Sequence, residues 1–260
     1  MRGKFISFSM TLLFSLLLCQ AGNVIAKTKT EFKNQSNDVL VEYRKRQIDL
    51  SAPAILDWLI AGNRRFADGK SSHGGYLSDT RERISVAGKG QRPLAAILSC
   101  MDSRTSPELV FDTSVGDLFT VRVGANVTND DIIGSLEIAV ESGAKVIVVL
   151  GHTDCGGIKA ACSGLVLGHM TQLLERVKPS ILITNSRLDR DQDLSKAVGE
   201  RVASNRRYIA EIGSDHSLLS AQQILQQSEI IAKKVQSKEV LLISALFDVE
   251  TGLVSHVNPK

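Results

Sequence analysis

The sequence predicts an α/β fold: a mainly parallel central β-sheet flanked by helices, with an N-terminal helical arm and C-terminal helices. Three observations carry this. From Pro93 onward, short apolar runs alternate with segments of helical periodicity, the pattern of strands joined by crossover helices. Residues 145–150 are almost continuously Val, Ile and Leu, as in a parallel strand buried on both faces. The chain of 260 residues, 43% hydrophobic and 23% charged, is long enough to bury a substantial core without disulfides.

Taken in order, the chain opens with Arg2 and Lys4, an apolar segment over residues 5–18 and the small-residue pattern Val24-Ile25-Ala26. Residues 1–26 therefore read as a signal peptide, with an apolar part short of a comfortable membrane span. The expected product is periplasmic or secreted, with no stable membrane insertion after cleavage. Residues 27–50 are polar and mixed in charge and read as a linker or N-terminal arm, leaving 51–260 as the folded domain. A helix is expected from Ser51, with Pro53 in its first turn and Ile55, Leu56, Leu59 and Ile60 as its stripe. Gly62 interrupts that pattern, which resumes to Gly69. Residues 70–92 read as an extended loop with a helical turn near 79–86. Strands follow at 94–98, 117–123 and 145–150. A short helix at 107–111 lies between the first two, and a longer one capped by Asn129 or Thr128 and ended by Gly143 precedes the third. Helical patterns cover 165–177, 193–212 and 215–235. Two strands, 240–249 and 253–257, close the chain around Glu250-Thr251-Gly252.

Charge and cysteine content narrow the function. The net charge is +3, two of which come from Arg2 and Lys4, so no nucleic-acid or polyanion partner is implied. Cleavage would remove Cys19 and leave Cys100, Cys155 and Cys162, an odd count that argues against a disulfide framework. Cys162 reads as a small buried apolar residue.

Two stretches carry the chemistry: Cys100-Met101-Asp102-Ser103-Arg104 and His152-Thr153-Asp154-Cys155-Gly156-Gly157. Each follows an expected strand, and open α/β sheets place their sites just beyond the carboxyl ends of strands. Two thiols and one imidazole from two strand ends make a three-ligand zinc site, which leaves one position of a tetrahedral ion open, as catalysis requires. A structural zinc, or merely buried Cys and His, is the plainer alternative, and a lone His-x-x-Cys pair is a weak signal. The third soft ligand at an equivalent strand end strengthens it. Alternate residues of an extended segment share a side, so Asp102 and Arg104 could face the same point as Cys100. Arg can hold a carboxylate ionised, and that carboxylate can orient a metal-bound water. The alternative is an ion pair that only braces the loop.

These residues resemble the β-class carbonic anhydrases. The match is Ser99-Cys100-Met101-Asp102-Ser103-Arg104 and residues 151–159, supported by Gly116-Asp117-Leu118-Phe119, by Arg122-Val123-Gly124-Ala125-Asn126, by Gly62-Asn63-x-x-Phe66 and by the ending Ala245-Leu246-Phe247-Asp248-x-x-Thr251-Gly252. The resemblance implies reversible hydration of carbon dioxide to bicarbonate and a proton, with one Zn2+ per chain held by Cys100, His152 and Cys155. It makes Asp102 and Arg104 the catalytic pair. It assigns substrate contacts to the Gly156 backbone N–H and to Gln91, the latter often reaching across a dimer interface, and it implies a homodimer or homotetramer. Zinc would lower the pKa of water so that hydroxide attacks the carbon. A regulatory bicarbonate pocket of another subgroup carries a Trp where this chain has Ile97, so that pocket is not expected. Hydrolysis of a CO2 analogue such as carbonyl sulfide or carbon disulfide would use the same scaffold. A non-catalytic zinc-binding exported protein would have no use for the Asp102–Arg104 pair. None of His73, His169, His216 and His256 is marked as a proton shuttle, and each reads as an ordinary surface or helix histidine.

Overall fold

The computed structural model describes residues 50–72 and 91–257. The expected signal peptide, the arm up to residue 49, His73 and the helical turn near 79–86 lie outside the described residues. Among the described residues, five strands form one sheet in the order β2-β1-β3-β4-β5. They are β1 Ala95–Ser99, β2 Leu118–Arg122, β3 Val146–His152, β4 Leu241–Phe247 and β5 Val254–His256. The first four run parallel and β5 is antiparallel. Every residue of β1 and β3 is buried. The period of two explains their unbroken apolar runs. Ile97, Val146, Val148 and Leu150 join the core with α1 (Ala52–Ala67), whereas Leu98, Ile147 and Val149 join the core with α3 (Asp130–Glu141).

Helix α1 starts as expected, with the Ser51 side chain accepting the Ala54 N–H. Gly62 does not interrupt it. A Cβ at Gly62 would lie 1.9 Å from the Phe111 carbonyl oxygen, so the glycine lets α1 sit directly on the end of α2 (Pro107–Val110). Next to it, the buried Asn63 donates to the carbonyls of Val110 (3.1 Å) and Gly252 (2.9 Å) and accepts the Val254 N–H (2.8 Å). Phe66 meets Phe247 with ring centroids 6.3 Å apart. The first and last motifs of the folded domain are thus two halves of one clasp, and their role is structural.

The C-terminal half divides differently from expectation. Residues 165–177 do not form one helix. Leu165, Val166 and Leu167 are exposed in a connection between Gly164 and Gly168, both at positive φ, and only α5 (Met170–Glu175) is helical there. The expected helix 193–212 is split into α7 (Gln192–Val198) and the start of α8 (Arg206–Gln227), and 215–235 is split into the rest of α8 and α9 (Glu229–Gln236). Local capping overrides the periodicity: the side chains of Asp191, Asn205 and Ser228 each accept a backbone N–H and start a new helix. Helix α6 (Lys178–Arg190) has no counterpart in the sequence reading. Its buried positions are Ser180, Thr184 and Leu188, so two hydroxyls stand where a hydrophobic stripe would have announced it.

Candidate metal centre

Strand register brings the two motif stretches together. Ser99 is level with Arg122 of β2 on one side and Leu150 of β3 on the other. The chain leaving β1 at Cys100 and the chain reaching His152 therefore emerge at the same edge of the sheet. Asp154 then turns the backbone through φ +61° into α4 (Gly156–Cys162), and Cys155 caps that helix. Asp is among the few side chains that tolerate this left-handed conformation. The close passage of residues 124–126 beneath the turn needs Gly157, since a Cβ there would meet the Ala125 Cβ at 2.9 Å.

The ligand atoms of Cys100, His152 and Cys155 lie within 4.8 Å of one another, and all three residues are buried. Cys162 is outside this group and only partly buried. His152 Nδ1 is 2.9 Å from the Thr153 carbonyl oxygen. A carbonyl only accepts, so Nδ1 carries the proton and Nε2 presents its lone pair. That Nε2 is buried and has no hydrogen-bond partner among the described residues. The two sulfurs are 4.0 Å apart. The hydrogen bond from Cys155 holds the Cys100 thiol below its usual range, with help from His152. Cys100, together with burial, pushes Cys155 up. Two adjacent thiolates repel, and a divalent cation between them removes the conflict. An orphaned imidazole nitrogen facing two soft sulfur donors is the donor set that zinc takes.

The loop carrying Cys100 is braced from three directions. Thr105 donates its hydroxyl to the carbonyls of Cys100 (3.1 Å) and Asp102 (2.9 Å). Arg122, at the end of β2, donates Nε to the Cys100 carbonyl (3.1 Å) and Nη2 to the Asp102 carbonyl (2.6 Å). In the sequence Arg122 is part of a motif with no evident role. Its role follows from β2 lying beside β1, which the sequence pattern does not reveal.

Asp102 and Arg104 meet as expected. Arg104 donates Nε to Asp102 Oδ1 at 2.9 Å and Nη2 to Oδ2 at 2.8 Å, and its backbone N–H adds a third bond to Oδ1 at 3.0 Å. The Arg104 side chain thereby holds the Asp102 carboxyl well below the usual carboxylate range, against the opposing effect of burial. Gly156 is exposed as the first residue of α4, where a helical N–H has no intrahelical acceptor. Gln91 is not brought to this centre. It is exposed beyond the opposite end of β1, next to Arg92, Pro93 and Leu94, which share a cleft with Gly143 and Lys145 at the start of β3.

One histidine lies on a helix, as one of its two expected settings has it, and shows more. His216 lies on α8 but is buried, with Nδ1 2.8 Å from the Ser180 hydroxyl oxygen. The sequence expectation of an ordinary surface or helix residue misses its burial, because the helix around it is faced with Ser214, Asp215, Ser217 and Ser220 rather than with an apolar stripe.

Comparison with known proteins agrees with this geometry. A family model described as carbonic anhydrase matches residues 95–254. Carbonic anhydrase 2 of Mycobacterium tuberculosis is 33% identical over 187 residues, spanning 64% of this chain and 88% of that protein. The carbonic anhydrase of Mycolicibacterium smegmatis is 39% identical over 128 residues, 47% of this chain and 61% of that protein. Among solved structures, one of two tetrameric β-carbonic anhydrases of Sordaria macrospora superposes with a TM-score of 0.59 at 22% identity, covering 79% of this chain and 98% of that one.

Proposed function

We propose, for a chain that belongs to the β-carbonic anhydrase family, that Cys100, His152 and Cys155 hold one zinc ion and that Asp102, kept ionised by Arg104, orients the water that attacks carbon dioxide. The activity is zinc-dependent, reversible hydration of carbon dioxide to bicarbonate and a proton. When bound, zinc supplies a Lewis acid that brings the pKa of water near neutrality. The remaining work falls to the protein's own groups. Asp102, an acceptor only, takes a hydrogen bond from the attacking water and so points an oxygen lone pair at the carbon. Arg104 keeps that carboxylate from taking up a proton and fixes its plane through two parallel bonds. The Gly156 N–H, without an intrahelical acceptor, donates to a substrate oxygen. His152 is held by the Thr153 carbonyl in the tautomer that leaves Nε2 free.

The observation that carries this reading is the bidentate Asp102–Arg104 pair beside a buried donor set with an orphaned imidazole nitrogen. The test is zinc content per chain together with CO2 hydration by the purified protein and by Asp102→Asn. The expected result is one zinc in each, with kcat/KM reduced between about 10- and 100-fold in the variant. Full zinc occupancy in an inactive wild type would sink the assignment.

Two further parts of the reading concern the whole protein. Gln91 contacts substrate only if it comes from another copy, since it lies beyond the far end of β1 from its own Cys100. A homodimer or homotetramer meets that need, and sedimentation of the purified protein gives the assembly. Export is supported by the basic start, the apolar segment and the small-residue pattern before Lys27. N-terminal sequencing of the mature protein should begin at Lys27.

A further inference from the structure

We propose that Asp154 is a positioning residue for the Asp102–Arg104 pair, acting through its carboxylate rather than through its backbone. The inference rests on the role of that pair given above. Arg104 spends Nε and Nη2 on Asp102, which leaves Nη1 as the open corner of the guanidinium. That corner faces Asp154 Oδ2 at 3.5 Å. The other oxygen, Oδ1, pairs with Lys159 Nζ of α4 and stands 3.6 Å from Arg206 Nε at the start of α8. Arg206 in turn pairs with Glu250 in the turn between β4 and β5. Asp154 is thus the joint at which the Cys100 loop, α4, α8 and the final turn are tied by charge.

The backbone alone does not call for this side chain. At φ +61° glycine is freer than aspartate, and asparagine has the same size and tolerates the conformation equally well. What aspartate adds is a charge with two oxygens, one committed inward to Arg104 and one outward to Lys159 and Arg206. The Arg104 side chain is 45% exposed, so its contact with Asp102 is otherwise its main restraint on the solvent side. A guanidinium held at one edge can swing about its own stem and take the carboxylate with it. Held at a second corner, it cannot. The two outward cations also keep Oδ1 occupied, so Asp154 stays a partner of Arg104 and does not turn toward the metal ligands.

The test compares Asp154→Asn with Asp154→Gly, both compatible with the left-handed turn. It reads zinc per chain, the separate kcat and KM of CO2 hydration, and a crystal structure of each zinc-loaded variant. The expected result is unchanged zinc, kcat lowered by about tenfold in both variants with KM little changed, and an Arg104 side chain in more than one conformation. Wild-type kinetics with a single Arg104 conformation in both variants would overturn the proposal. A defect in Asp154→Gly absent from Asp154→Asn would overturn it too, because the charge would then be irrelevant, and so would loss of zinc, because the effect would run through the ligand loop. If the wild type does not hydrate CO2, the reading of the active site fails separately, and the Arg104 conformation in the two variants still decides the positioning role.

Discussion

Cys100 is asked to do two things: it fills a buried position just beyond β1 and it supplies one of three metal donors. Replacing its sulfur by a hydroxyl keeps the size but removes the soft donor, so Cys100→Ser should purify without stoichiometric zinc and unfold at a lower temperature. Zinc retained at one per chain would mean that the ligand set is misassigned. His216 is the residue whose chemistry shows most in stability. Burial pulls its pKa from 6.5 down to about 4, although the Ala125 carbonyl and Cys100 work in the opposite direction. With the folded-state value below the unfolded one, the native state is favoured above pH 6.5. As pH falls toward 4, the unfolded chain takes up a proton that the folded chain refuses, and stability is lost. The full loss is roughly 3 kcal/mol. Urea unfolding of the wild type and of His216→Asn from pH 7.5 to 4.5 should show a steeper acid decline in the wild type, and equal slopes would remove His216 as the cause.

At the scale of elements, the approach of α1 to α2 depends on a missing side chain. Gly62→Ala puts a Cβ 1.9 Å from the Phe111 carbonyl oxygen, a backbone atom that cannot step aside alone. The helix must lift, which strains the Asn63 bonds to Val110, Gly252 and Val254. The expected cost is about 2–3 kcal/mol, read as a lower thermal midpoint with zinc still bound, since the clasp is separate from the metal ligands. An unchanged midpoint would show that α1 is not seated as described. Elements built on an apolar period are legible in the sequence: β1, β3, α1 and α3 fall within one or two residues of expectation. Helix α6 is not, and α8 falls across two expected helices that break at residues 213–214, because hydroxyl, carboxylate and imidazole groups fill much of the contact between the two. Thr184 donates to Asp215 at 2.6 Å, and Arg187 bridges Asp215 and Glu211. Such a face is polar to any reading of hydropathy and becomes a core only when the second helix is beside it.

For the whole molecule, the metal centre joins parts distant in sequence. Cys100 leaves β1, while His152 and Cys155 flank the turn from β3 into α4, so a bound ion ties two strand ends and a helix start. Ligand binding to the native state alone stabilises it by about 3–4 kcal/mol at 100–1,000 times the dissociation constant. Removing zinc with a strong chelator should therefore lower the thermal midpoint by roughly 10 °C, and zinc added back should restore it. A midpoint indifferent to chelation would argue that the three donors do not hold the ion in the folded protein.

The α/β class, the three metal donors and the Asp102–Arg104 pair can be read from the residues alone, because each is written locally: strands in apolar runs, ligands at strand ends, the pair within three residues. The motif resemblance added the reaction. Only the tertiary structure decided that the Gly62-Asn63 and Asp248–Gly252 stretches form one clasp, that Arg122 braces the Cys100 loop, and that Gln91 lies away from its own centre. It also made Asp154 the joint of a charge network reaching from Arg104 to Glu250. These are contacts between residues far apart in the chain. Strand order and register create them, and neither is encoded in the spacing of any one segment.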